Sequence, residues 1–156
     1  LSALAAACIA LSFPVLARAQ SAPVDWKTLA TEFSKDETAA SAKYQGQMLV
    51  VSGPVSAIAA GDMTLDDPSV AVTLSTPDGP GPDVKCLFEQ QDLEPNTEIQ
   101  VSGDNSEVLL RKMSPAGEVL RSKPMVQVGQ NVTLTGTFLG FQAGDIVFRH
   151  CRLGAQ

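Results

Sequence analysis

The chain has 156 residues, enough for one domain and a short extension. Hydrophobic residues make up 44% and aromatics 5%, so a core can form but must be filled mainly by aliphatic side chains. The formal net charge of −6 argues against sequence-independent binding to a phosphate backbone. That charge is uneven. From Gln20 to Ser106 four basic residues face fourteen acidic ones, whereas from Glu107 onward six basic residues (Arg111, Lys112, Arg121, Lys123, Arg149, Arg152) face three acidic ones. A basic patch on an acidic body is one expectation; ordinary solvated strand faces are the alternative.

In chain order, Leu1 to Ala19 is apolar and ends in Ala17-Arg18-Ala19, the small-x-small pattern that signal peptidase cleaves. Pro14 breaks the apolar run shortly before it, and the run is short for a membrane span. The expectation is a signal peptide over 1–19, whose basic start lies upstream of Leu1, and a periplasmic or secreted product. An uncleaved anchor helix, or lipidation at Cys8, is the alternative. Cleavage removes Cys8 and leaves Cys86 and Cys151, an even pair in an oxidising compartment. A disulfide is the leading reading. It closes a loop of roughly sixty residues, for which chain entropy gives about 3–4.5 kcal/mol. Two small buried thiols packing as hydrophobes are the alternative.

Residues 20–24 read as a flexible lead. Asp25 can cap a helix beginning near Trp26, and Trp26, Leu29, Ala30 and Phe33 recur at three- and four-residue spacing. Asp36-Glu37-Thr38 can open a second turn, so one or two short helices are expected between Trp26 and Lys43, covering one end of a barrel. From Gln47 the period changes to two. Met48, Val50, Gly53, Val55, Ala57 and Ile58 mark a long first strand that bends at Gly53. A second strand is expected over Met63–Leu65 and Val70–Leu74, and a third over Val84–Phe88, with the Pro- and Gly-rich run Thr76–Pro82 as a loop between them. Asn131–Leu139 and Ile146–Leu153 form the last two strands, joined by a turn at Phe141–Gly144. In the last strand Ile146, Phe148, His150 and Arg152 alternate with Val147, Arg149, Cys151 and Leu153, and the pattern alone leaves the inward set open. Between the third and fourth of these strands, Ile99–Val101 has strand character, and Val108–Lys112 with Val119–Lys123 reads as a hairpin turning at Ser114–Gly117.

An ordered set of motifs runs through this chain: L-A-T-E-F-S-K-D-E-T-A-A-S-A-K-Y-Q-G-Q at Leu29–Gln47, V-V-S-G-P-V-S-A-I at Val50–Ile58, V-K-C-L-F at Val84–Phe88, V-G-Q-N-V-T-L-T-G at Val128–Gly136, and D-I-V-F-R-H-C-R-L at Asp145–Leu153. The set resembles the bacterial tRNA-anti-like OB-fold family, which is largely uncharacterised and often exported. The resemblance implies a mainly β protein: a five-stranded OB-type β-barrel with a short N-terminal helical segment, spanning 25–156. The stretch 92–125 is longer than the family's connection and is expected as an inserted β-hairpin. In such a barrel strands three and five are neighbours, so the resemblance also brings Cys86 and Cys151 together.

The chain carries no G-x-S-x-G elbow, no phosphate-binding Gly-Lys-Ser/Thr loop and no C-x-x-C pair. No catalytic set, cofactor or metal is therefore expected. His150 with Cys151 is a poor metal pair, and Asp62, Asp66 and Asp67 read as a solvated turn rather than a cation site. The expected activity is that of a non-catalytic binding or interaction module for a protein, an envelope glycan or a small ligand, with Arg111, Arg121, Phe141, Arg149 and Arg152 as the guessed ligand face. The alternative is binding of single-stranded nucleic acid, with Phe88, Phe138, Phe141 and Phe148 as stacking platform and the same four arginines as cations.

Overall fold

The computed structural model describes residues 22–61 and 69–154. The leader, Cys8 and the Asp62, Asp66 and Asp67 turn lie outside the described residues. The elements are β1 (Val24–Asp25), α1 (Trp26–Lys35), α2 (Glu37–Tyr44), β2 (Met48–Ala60), β3 (Ser69–Leu74), β4 (Val84–Glu89), a 3-10 turn (Gln90–Asp92), β5 (Thr97–Val101), β6 (Glu107–Met113), β7 (Val119–Gln127), β8 (Asn131–Gln142) and β9 (Asp145–Leu153). Among the described residues no helix is long and apolar enough to cross a membrane.

The two helices start where the sequence predicts. Asp25 accepts a hydrogen bond from the Lys27 amide at 2.8 Å, and Asp36 accepts one from Ala39 at 2.9 Å. Such caps stabilise a helix by about 1 kcal/mol each. The Trp26, Leu29, Ala30 and Phe33 stripe is buried, as its spacing requires. Residue Val24, expected in a flexible lead, instead pairs in parallel with Val51, so the lead joins the sheet at its last residue.

β2, β3, β4, β9 and β8 form a closed five-stranded barrel of the OB type. Closure depends on β2. Its first half, Met48–Pro54, pairs with β8, and its second half, Val55–Ala60, pairs with β3. At the hand-over Ser56 is an extra residue opposite β3, which reverses the alternation. Leu49, Val51 and Val55 therefore point inward, and then Ile58 does; Met48, at the start of the strand, is 68% exposed. Gly53 does more than bend the strand. A Cβ there would lie 2.4 Å from Trp26 Cδ1, so the glycine is the seat on which the indole packs.

β9 shows the same device. Between Thr135 and Thr137 of β8 only Gly136 stands opposite both His150 and Cys151. His150 takes a left-handed φ of 52° at this bulge. Ile146 and Phe148 face inward before it and Cys151 after it, so neither alternating set is the inward one throughout. Cys86 and Cys151 do approach each other, but the expected disulfide is corrected: both are free, buried thiols. The parallel β4–β9 ladder sets Cys86 against Phe148, leaving Cys151 three residues farther along and beyond the paired stretch. Burial, followed by contact with Cys86, pushes the Cys151 thiol well up, which suppresses the reactive thiolate.

The insertion is a three-stranded sheet, β5–β6–β7, rather than a lone hairpin. β5 packs against β2 and β3, so Ile99, Val108 and Val126 enter the barrel's own core cluster. Around the helices Phe33 lies 5.7 Å from both Phe138 and Phe141, and Phe138 lies 5.7 Å from Phe148. Each such pair adds about 0.5–1.5 kcal/mol beyond its buried area. Replacing Gly53 by alanine is expected to displace Trp26 and lower stability by about 1–3 kcal/mol. Gly103→Ala, where a Cβ meets open space, is expected to change it by less than about 0.5 kcal/mol. Urea denaturation of the two variants measures the difference.

Candidate functional site

The outer face of β3, β4 and β9 carries a groove of about 570 Å³. The ladders fix its layout. Ser69 stands opposite Glu89, Ala71 opposite Leu87, and Thr73 opposite Lys85, which in turn stands opposite Val147. The end of β2 and the β8–β9 turn at Gln142–Ala143 form its walls. The floor is small and apolar: Ala71 and Val147 are only 8% and 5% exposed although they lie outside the barrel. Ser69 Oγ, on the groove wall, is buried without a hydrogen-bond partner among the described residues. A buried hydroxyl in that condition costs about 1–3 kcal/mol unless something else satisfies it.

Ion pairs bracket the floor. At one end Lys85 Nζ contacts Asp145 Oδ2 at 2.5 Å. At the other, Glu89 leaves β4 on the same outward alternation as Lys85 and Leu87, and its side chain is only 3% exposed. Arg149 Nε donates to Glu89 Oε1 at 2.6 Å, and Gln91 Nε2 donates to Glu89 Oε2 at 2.6 Å. Across the 3-10 turn, Asp92 Oδ2 lies 2.9 Å from His150 Nδ1, and Glu89 Oε2 lies 3.1 Å from the same nitrogen. Burial pushes the Glu89 carboxyl up, but the hydrogen bonds from Arg149 and Gln91 outweigh it, and the group sits below its ordinary value.

A family model named tRNA_anti-like matches residues 12–152, nearly the whole chain. The chain belongs to the tRNA_anti-like family. No curated protein and no solved structure matches it. Cys86 and Cys151 both lie within the matched residues, and the barrel buries both. The groove of this family member lies where OB barrels carry their ligands, on the face of the second and third barrel strands beside the first and last interstrand loops.

The structure does not gather the sequence-predicted ligand residues onto one face. Arg111 is on β6, bonded to Gln100 Oε1 at 2.6 Å and 3.6 Å from Glu98. Arg121, on β7, stands opposite Lys112 and borders a separate hollow with Lys112 and Lys123. Phe141 stacks on Phe33, while Phe88, Phe138 and Phe148 are core residues, so the four phenylalanines make no open stacking platform. Arg149 and Arg152 do come together, around Glu89 and Asp92, with Arg152 3.9 Å from Asp92. His150 and Cys151 point to opposite sides of the barrel wall and make no joint site. Sequence reasoning missed Ser69, Glu89 and Asp92. The outward alternation Lys85, Leu87, Glu89 was readable, but nothing in it reveals that Arg149 and His150 arrive from sixty residues away.

The sign of the Glu89 effect follows from its lowered value. Its ionised form stabilises the fold above the ordinary value of 4.5, and that contribution is lost as pH falls through the lower folded value. Glu89→Gln is expected to cost on the order of 1–3 kcal/mol at pH 7, given that Arg149 is partly solvated. The variant is also expected to lose less further stability than the parent on acidification to pH 3. Urea midpoints taken across that range test both parts.

Proposed function

We propose that this protein is an exported, non-catalytic binding module whose ligand lies along the groove on β3, β4 and β9. The observation that carries the reading is the groove itself, with small apolar side chains at its floor and the end of β2 and the Gln142–Ala143 turn as its walls. The Thr73 hydroxyl, the Gln142 side-chain amide and the Lys85–Asp145 pair add polar groups around that floor. A ligand with a flat apolar face and a hydroxyl- or amide-rich edge complements such a surface. A sugar ring of an envelope glycan is the nearest chemistry. Two buried thiols, one with its thiolate strongly disfavoured, and a histidine engaged by carboxylates support a binding role over catalysis. The apolar leader ending in Ala17-Arg18-Ala19 supports export. Single-stranded nucleic acid is the weaker reading, because the phenylalanines it needs for base stacking are packed inside.

Amide chemical-shift titration with soluble cell-wall glycan fragments is expected to move Ala71, Leu87 and Val147. Ala71→Arg, which fills the floor, is expected to abolish those shifts while circular dichroism verifies that the variant remains folded. Shifts confined to other surfaces, or none at millimolar fragment, would remove the groove from consideration. Oligonucleotide affinity is expected to be absent even at low salt, and salt-sensitive binding there favours the weaker reading. Export has its own check. Fractionation and mass measurement of the natively expressed protein are expected to find a periplasmic chain beginning at Gln20, whereas a cytosolic chain with its leader intact rejects it.

A further inference from the structure

We propose that Glu89, Asp92 and His150 form a binding site for a divalent transition-metal ion, Zn²⁺ first among them. The assignment does not depend on what the groove binds. It begins with the bulge on β9. Because Gly136 stands opposite both His150 and Cys151, the strand turns Cys151 inward and sends the imidazole outward, over the end of β4. A left-handed φ of 52° at a histidine is uncommon and persists where surrounding structure enforces it. Such outliers cluster at binding sites.

The donor geometry fits one shared ion. His150 Nδ1 lies 2.9 Å from Asp92 Oδ2 and 3.1 Å from Glu89 Oε2, and one ligand atom from each residue falls within 4.8 Å of the others. Two ligands bound at about 2.1 Å and subtending about 90–110° lie about 3.0–3.4 Å apart, so an ion enters with small side-chain shifts. The carboxylate of Glu89 is already oriented. Arg149 holds Oε1 and Gln91 Nε2 donates to Oε2, which keeps a second lone pair for the histidine side, and such outer partners commonly fix ligating carboxylates. Charge permits a cation. Glu89 and Asp92 carry two negative charges, against which Arg149 is the close positive one; Arg152, at 3.9 Å and 69% exposed, is free to swing into solvent. Glu89 and Asp92 are 3% and 17% exposed, while His150 is 47% exposed, so the site is anchored inside and open outside for water ligands. One imidazole with two carboxylates suits Zn²⁺ better than Ca²⁺ or Mg²⁺, which take oxygen donors.

The test uses the full chain, stripped with EDTA and titrated with ZnCl₂ by calorimetry. One ion per chain is expected to bind, with millimolar Ca²⁺ failing to compete. His150→Ala, at a half-exposed position, and Asp92→Asn are each expected to weaken binding about 10- to 100-fold. Circular dichroism verifies that both remain folded. Zn²⁺ is also expected to raise the melting temperature of the parent and not of His150→Ala. No binding to the parent at 0.1 mM ZnCl₂, or binding of equal strength in His150→Ala, overturns the assignment.

Discussion

A β-sheet that closes on itself must coil, and strict alternation along every strand works against that. Three extra residues relieve the conflict in this barrel. Ser56 interrupts β2 where it passes from β8 to β3, Leu139 interrupts β8 against β9, and the His150–Cys151 pair interrupts β9 opposite Gly136. Each local irregularity increases twist and reverses which side chains face the core. Without the first, β2 cannot serve two neighbours along one continuous strand. Without the last, Cys151 faces solvent and His150 enters the core. The glycines follow from the same constraint. Gly136 leaves room for Cys151 Sγ, which a Cβ would approach to 2.7 Å, and Gly53 leaves room for Trp26.

The closed barrel explains how a chain with few aromatics builds a stable interior. Valine, leucine and isoleucine line the barrel, while the aromatic residues concentrate where α1 and α2 meet β8, with Phe33 touching Tyr44, Phe138 and Phe141. The loop between β3 and β4 is folded back onto α1: Ser34 Oγ donates to the Pro80 carbonyl at 3.3 Å, and Gly79 lies under the Trp26 ring. The helices are thereby held by both the sheet and a loop. The inserted sheet is tied in as well, through Ile99, Val108 and Val126. Helices, barrel and insertion thus share one core, and the outer face of β3, β4 and β9 is left for other work.

That face has a simple order. Ion pairs stand at both ends, Lys85 with Asp145 and Glu89 with Arg149, and an apolar strip lies between them. The Glu89 carboxylate, held by Arg149 and Gln91, keeps its charge near neutral pH and keeps its position, which is what a recognition surface or an ion site requires. The groove and the histidine cluster are neighbours because Ser69 and Glu89 are ladder partners.

Much of the architecture was legible in the sequence. The α1 stripe, its Asp25 cap, the period-two segments, the Pro- and Gly-rich loop and the family motifs each reflect local chemistry, and local chemistry is what a linear pattern records. The facing of β2 and β9 was not legible, because a bulge is a disagreement in length between two paired strands and neither strand contains it alone. The two cysteines were rightly expected to converge, yet whether they bond depends on a ladder offset of three residues, which only the assembled sheet sets. The Glu89, Asp92 and His150 cluster draws one member from sixty residues away, and Arg149 reaches Glu89 across the same separation. The sequence by itself determined which segments would pair and bury; the tertiary structure decided which side chains meet on the outer face, because register between distant strands is a property of the closed barrel.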